Sequence, residues 1–151
     1  MNSVHTVEKI PLGQKAAFGA GHLVNNLFPG ALGVFSVFLI TAFGIEPAIA
    51  GLLSAIPRFF DALTDPIMGF ITDNTTSRWG RRRPYIFAGA VIASILFIVQ
   101  WQMWEDNGAT YNFWYFLLFS ILFIFANTVF STPLIGMGYE MTTDTKERTR
   151  L

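Results

Sequence analysis

The chain has 151 residues, 52% of them apolar and 13% charged, with 16 Phe and 4 Trp. That charged fraction is about half of what soluble domains carry, and with a mean hydropathy of +0.46 it points to a membrane protein. Zero formal net charge and the absence of cysteine exclude a disulfide framework, a thiolate metal site and a cysteine nucleophile, and give no electrostatic case for a nucleic-acid partner.

The N-terminal stretch MNSVHTVEKIPLGQK is polar and lacks the short apolar core of a removable signal peptide. His5 and His22 are too few and too far apart to suggest a metal site. A helix needs roughly 20 apolar residues to cross the hydrocarbon core. The sequence offers four such runs, at about residues 16–43, 47–72, 85–103 and 113–137, the second only if its charges are tolerated. The connections GIE, DNTTSRWGRRRP and WEDNGATYN are polar and read as turns at membrane surfaces.

Span one carries His22, Asn26, Pro29 and Gly33 along one side, with Asn25 adjacent. Interhelical packing and ligand contact account for that stripe equally well. Span two carries Arg58, Asp61 and Asp65, spaced so that all three share one helical face, with Thr64 beside them. Each charge at a helix centre costs about 2.5 to 3.5 kcal/mol in lipid, so this face is predicted to turn towards protein or a water-filled cavity. Pro66 frees the carbonyl of Ala62 in the same neighbourhood. Two carboxylates one turn apart repel unless a proton or a metal cation neutralises them. The alternative is a structural Arg58–Asp61 ion pair. Span four carries Asn127, Thr128, Ser131 and Thr132 before Pro133, Gly136 and Gly138. Such hydroxyls often bond back to their own helix, but beside paired Asp residues they become candidate oxygen ligands for a hard cation.

Lys9, Lys15, Arg78, Arg81, Arg82, Arg83, Lys146, Arg148 and Arg150 fall on one side of the spans, while Glu46, Glu105 and Asp106 fall on the other. The excess of cations predicts that both termini are cytoplasmic. Trp101, Trp104, Tyr111, Trp114 and Tyr115 form an expected aromatic belt at the opposite boundary. The basic loop SRWGRRRPY suits a topogenic role or anionic lipid headgroups better than nucleic acid.

The stretch GFITDNTTSRWGRRRPYIFAG resembles the loop signature of the major facilitator superfamily, matched by Gly69, Asp73, Arg78, Gly80, Arg81 and Arg82. More specifically, RFFDALTDPIMGFITDNTTSRWG and the closing TDTKERTRL resemble the glycoside–pentoside–hexuronide:cation symporters, the melibiose permease-like branch. The GRRRP run is also similar to plant sucrose–proton symporters. The resemblance implies an all-α membrane protein whose four helices are the first part of a twelve-helix fold. It implies a cation site at Asp61, Thr64, Asp65 and Thr128, where the melibiose branch has Asn in place of Thr64. Asn26 and Ser131 stand where that branch has Asp, and Ile135 where it has Trp, so recognition of a galactoside does not carry over intact. Asn26, Ser131 and Arg58 are the implied substrate contacts. Gly69, Asp73, Arg78, Gly80, Arg81 and Arg82 are the implied cytoplasmic gate.

The expected organisation is a cytoplasmic segment at 1–15, a partial transmembrane bundle at 16–141, and a truncated cytoplasmic loop at 142–151. The expected function is secondary active transport of a sugar or glycoside coupled to Na⁺ or H⁺, with Asp61 and Asp65 as metal ligands if the ion is Na⁺. No catalytic residue and no cofactor beyond the coupling ion are expected. The partners are the sugar, the cation, the lipid bilayer and the remaining helices, in a plasma or bacterial inner membrane. The alternatives are a non-transporting scaffold and an intramembrane hydrolase using the paired Asp. The second suffers because both carboxylates lie on one helix rather than converging from two sides.

Overall fold

The computed structural model describes residues 10–103 and 105–141. His5, Lys9, Trp104, Lys146, Arg148 and Arg150, and with them most of the expected 1–15 segment and all of the 142–151 loop, lie outside the described residues. Four helices follow in order: α1 (Leu12–Phe43), α2 (Pro47–Asn74), α3 (Arg83–Gln100) and, after one 3₁₀ turn at Glu105–Asn107, α4 (Gly108–Met141). No strand occurs among the described residues.

Local chemistry sets the ends. Gly44 closes α1 in the left-handed region at φ 61°, which lets Ile45 N–H reach back to Leu39 O at 3.5 Å. Pro47 then opens α2 and Pro84 sits in the first turn of α3, where a missing N–H costs nothing. The sequence expectation differs at α4. Residues 108–112 belong to its first turns rather than to a loop, because an apolar-run criterion stops at polar Asn112, which is buried here. Conversely α3 ends at Gln100, before the expected 103.

Three helices, α1, α3 and α4, are long and apolar enough to cross a membrane. With 28 residues α2 has the length, but Arg58, Asp61 and Asp65 lower its apolar character below that class. Its charges therefore depend on neighbours. The neighbour is α4, which packs against both α3 and α2, while α1 touches α2 and α4 more sparingly. Phe35 and Leu39 of α1, Leu53 of α2 and Phe116 of α4 form one buried cluster. Phe123 and Ala126 close on Ala93 of α3 in a second, and Phe18, Phe130 and Leu134 build a third. The α3–α4 crossing is tight: a Cβ on Gly89 would meet Phe130 N at 2.6 Å. Helix α2 continues through Pro57 and Pro66, and α4 through Pro133.

At one end of the bundle Trp101, Tyr111 and Trp114 are exposed, and Tyr115 Oη donates to Val99 O at 2.7 Å, tying the start of α4 to the end of α3. The Arg-rich loop between α2 and α3 lies at the other end. Apolar side chains such as Leu23, Val34, Phe59, Ile67 and Phe87 point outward, as lipid or further helices require.

Candidate functional site

Asp61 and Asp65 are one turn apart on α2, and Thr128 and Thr132 are one turn apart on α4. The equal step lets two pairs form side by side. Thr128 Oγ1 donates to Asp61 Oδ1 at 2.8 Å, and Thr132 Oγ1 donates to Asp65 Oδ1 at 2.9 Å. Thr64 lies between the acids, with its Oγ1 3.3 Å from that of Thr128. The Thr64 hydroxyl also reaches its own helix, at 3.0 Å from Phe60 O and 3.2 Å from Asp61 O. Thr128 is 1% exposed, so its hydroxyl has exchanged water for these partners. The four oxygen-bearing side chains Asp61, Thr64, Asp65 and Thr128 thus come together across one helix–helix seam, and Thr132 joins them. All donors are oxygen, which suits a hard cation or a proton. Among the described residues no three His, Asp or Glu side chains gather as a transition-metal site would need.

A cavity of about 470 Å³ opens beside this seam, between α1, α2 and α4. Asp61 and Asp65 border it, and so do Arg58, Ala62, Ser120 and Asn127, with Leu32, Leu53, Phe116 and Phe123 supplying apolar wall. Arg58 makes no salt bridge to Asp61 among the described residues, so the structural ion pair considered above is not formed. The guanidinium is exposed and belongs to the cavity wall.

Other expected contacts sit elsewhere. Asn26 is exposed and its amide donates to His22 O, one turn back on its own helix, at 2.8 Å; it does not border the cavity. Ser131 is buried at 8% exposure on α4 and does not border the cavity either. His22 packs against the Phe18 ring at 4.7 Å. Ser120 was not singled out in the sequence. Thr132 was, as one of the span-four candidate oxygen ligands, and its four-residue offset from Thr128, which repeats that of the two acids, is the signal that pairs it with Asp65.

The Arg-rich end holds a second cluster. Arg82 Nη2 donates to Asp73 Oδ1 at 2.6 Å and lies 3.2 Å from Glu140 Oε1, which Arg81 also engages. The Arg82 side chain is only 13% exposed. Its guanidinium crosses α4 at Gly136, where any Cβ would collide with it. Gly80, at φ 98°, provides the turn that brings these arginines round. Arg78 instead lies over the Trp79 ring at 5.8 Å. Gly69 belongs to the seam rather than to this cluster: a Cβ there would stand 3.9 Å from Thr132 Cγ2. Glu140, at the end of α4, is the member that loop-based reading overlooked.

Residues 17–151 match the family described as MFS/sugar transport protein. An uncharacterized symporter of Synechocystis is 32% identical over the whole chain, which covers 29% of that relative. A lactose permease of Leuconostoc lactis is 31% identical over 87% of the chain and 23% of its own length. A sodium-dependent lysophosphatidylcholine symporter of Mus musculus is 28% identical over 93% of the chain and 27% of its own length. The chain therefore spans less than a third of these relatives. No solved structure matches it significantly. The chain belongs to the MFS/sugar transport protein family, whose members are membrane transporters rather than enzymes.

Proposed function

We propose that this chain is the cation-handling part of a secondary transporter that couples Na⁺ or H⁺ to movement of a sugar or glycoside. The observation that carries the reading is the seam of two α2 carboxylates facing α4 hydroxyls, at 2.8 and 2.9 Å, with no guanidinium paired to either among the described residues. A hydroxyl donor satisfies a lone pair but leaves the formal charge uncompensated. Two carboxylates one turn apart on the cavity wall, with the single cation Arg58 nearby but bonded to neither among the described residues, favour a monovalent cation or a proton between them.

Asp61 and Asp65 would carry that cation, with Thr64 and Thr128 completing its shell and Thr132 releasing or retaining Asp65 as the ion arrives. With the carboxylates uncompensated, closing them away from water is costly; a bound cation removes that cost and permits the alternating-access transition. Sugar in the adjoining cavity then tightens cation binding by the same factor as the cation tightens sugar binding. Arg58 faces the sugar in this reading, while Asn26 and Ser131 serve it only after rearrangement. Arg81, Arg82, Asp73 and Glu140 close the cytoplasmic side, with both termini on that side of a plasma or bacterial inner membrane. These four helices would be the first of twelve. The relatives named as a lactose permease and as symporters support the substrate class and the coupling.

The test uses the full-length protein in sealed vesicles with labelled lactose and an imposed Na⁺ or pH gradient. Accumulation that collapses when an ionophore dissipates the gradient is the expected result. Uptake that equilibrates without accumulating, whatever the ion, would reject cation coupling.

A further inference from the structure

Two polar groups on α4 take no part in the seam. Ser120 is 2% exposed and its Oγ has no hydrogen-bond partner among the described residues; Asn127 Oδ1 is likewise buried and unpaired. Both residues border the cavity that Arg58, Asp61 and Asp65 share. Leaving a buried polar atom unsatisfied costs free energy in the ligand-free protein, so such atoms on a cavity wall mark places where a ligand completes the bonding. Their spacing adds a dimension. Seven residues on a helix return to the same face after two turns, a rise of about 10 Å. One hydroxyl cannot reach both groups. Phe116 and Phe123 repeat the same seven-residue step in the same cavity, Phe123 between the two polar points and Phe116 one turn beyond Ser120, and both offer apolar faces.

We propose that Ser120 and Asn127 are specificity-determining substrate contacts that grip opposite ends of a polyhydroxylated ligand longer than one sugar ring. Asn127 Oδ1 accepts from a ligand hydroxyl near the carboxylates, and Ser120 Oγ binds a second hydroxyl two turns away. The Phe123 ring between them and the Phe116 ring beyond Ser120 pack against the apolar faces of the sugar. This rests on the transport reading above, but it gives a role to Ser120, which the sequence pattern did not single out, and moves Asn127 from candidate cation ligand to substrate contact.

The experiment compares full-length wild type with Ser120→Ala and Asn127→Ala, using lactose and cellobiose as two-ring probes and galactose and glucose as one-ring probes. Each variant is expected to raise KM for the two-ring sugars about 5-fold, the worth of one net hydrogen bond. One-ring sugars are expected to bind more weakly than two-ring sugars in wild type and to be affected by only one of the two substitutions. Sugar-free Ser120→Ala is expected to melt at the same temperature as wild type or higher, because an unsatisfied group has been removed. Unchanged two-ring KM in both variants would overturn the proposal, as would a lowered melting temperature that accounts for the loss, or wild type that accepts only one-ring sugars. Wild type that accumulates none of the four sugars would instead fail the transport reading itself.

Discussion

Helix α2 carries three aspartates, and the company they keep divides them. Asp73, at the Arg-rich end, meets the guanidinium of Arg82 at 2.6 Å and shares it with Glu140. Asp61 and Asp65, further along the same helix, meet threonine hydroxyls. The first arrangement is electrically complete, a two-arginine, two-carboxylate cluster whose members neutralise each other. The second satisfies hydrogen bonding and leaves charge over. A complete cluster can act as a latch; an incomplete one can receive a visitor. The same side chain thus acquires opposite roles from its partner on α4, a hydroxyl in the middle of that helix and a carboxylate that recruits arginines at its end.

Asp61→Asn attacks the comparison most directly. It keeps the shape and a Thr128 partner but removes the surplus charge, and the full-length protein is expected to lose gradient-driven accumulation, equivalent to at least about a 100-fold weaker ion affinity, or about 2.7 kcal/mol. Retained accumulation would mean that the hydroxyl-held acid is as inert as the arginine-held one. The latch comes next. Arg82→Ala is expected to cost about 2 kcal/mol, since it breaks charge-assisted bonds to Asp73 and Glu140 while leaving ion affinity within a factor of about two. Gly136→Ala should mimic it without touching a charge, by displacing the guanidinium; matching denaturation midpoints for the two variants would check this.

Thr132→Val sharpens the boundary within the seam. It removes one donor to Asp65 and is expected to shift the half-saturating ion concentration about 5-fold, by about 1 kcal/mol, with transport retained. Smallest of all is Arg81→Gln. The Arg81–Glu140 pair is nearly half exposed on both sides, so its loss should change the thermal midpoint by the equivalent of about 0.5 kcal/mol or less. An effect as large as that of Arg82→Ala would show that the latch is a single cooperative unit.

The helices and the inward-facing acids were readable from sequence because hydrocarbon imposes a length and penalises stray charge. Asp61, Thr64 and Asp65 share a face by helical arithmetic, and Thr128 followed from the family resemblance. Ser120 and Glu140 were not assigned, and Thr132 was read only as a member of the span-four polar strip, without its partner Asp65. Each acquires its place only when α4 is laid beside α2, and sequence spacing within one helix does not report the rotation of another. Asn26 illustrates the reverse case. Its polar stripe left packing and ligand contact open and the family resemblance implied substrate contact, whereas here its amide donates to His22 O of the preceding turn, the local bonding that competes for such side chains. The start of α4 was missed because a polar residue such as Asn112 can be buried inside a helix that extends beyond its apolar run.

The shared four-residue interval on α2 and α4 also guards assembly. Suppose α4 slipped along its neighbour by a single turn. Thr128 would then face Asp65 and strand Asp61 opposite Ile124, or Thr132 would face Asp61 and abandon Asp65 to Gly136. Neither Ile124 nor Gly136 offers a side-chain donor, so each misalignment costs the half-buried Asp61 or the more exposed Asp65 its hydroxyl partner. The two matched rungs therefore proofread how the helices dock before any ion is involved.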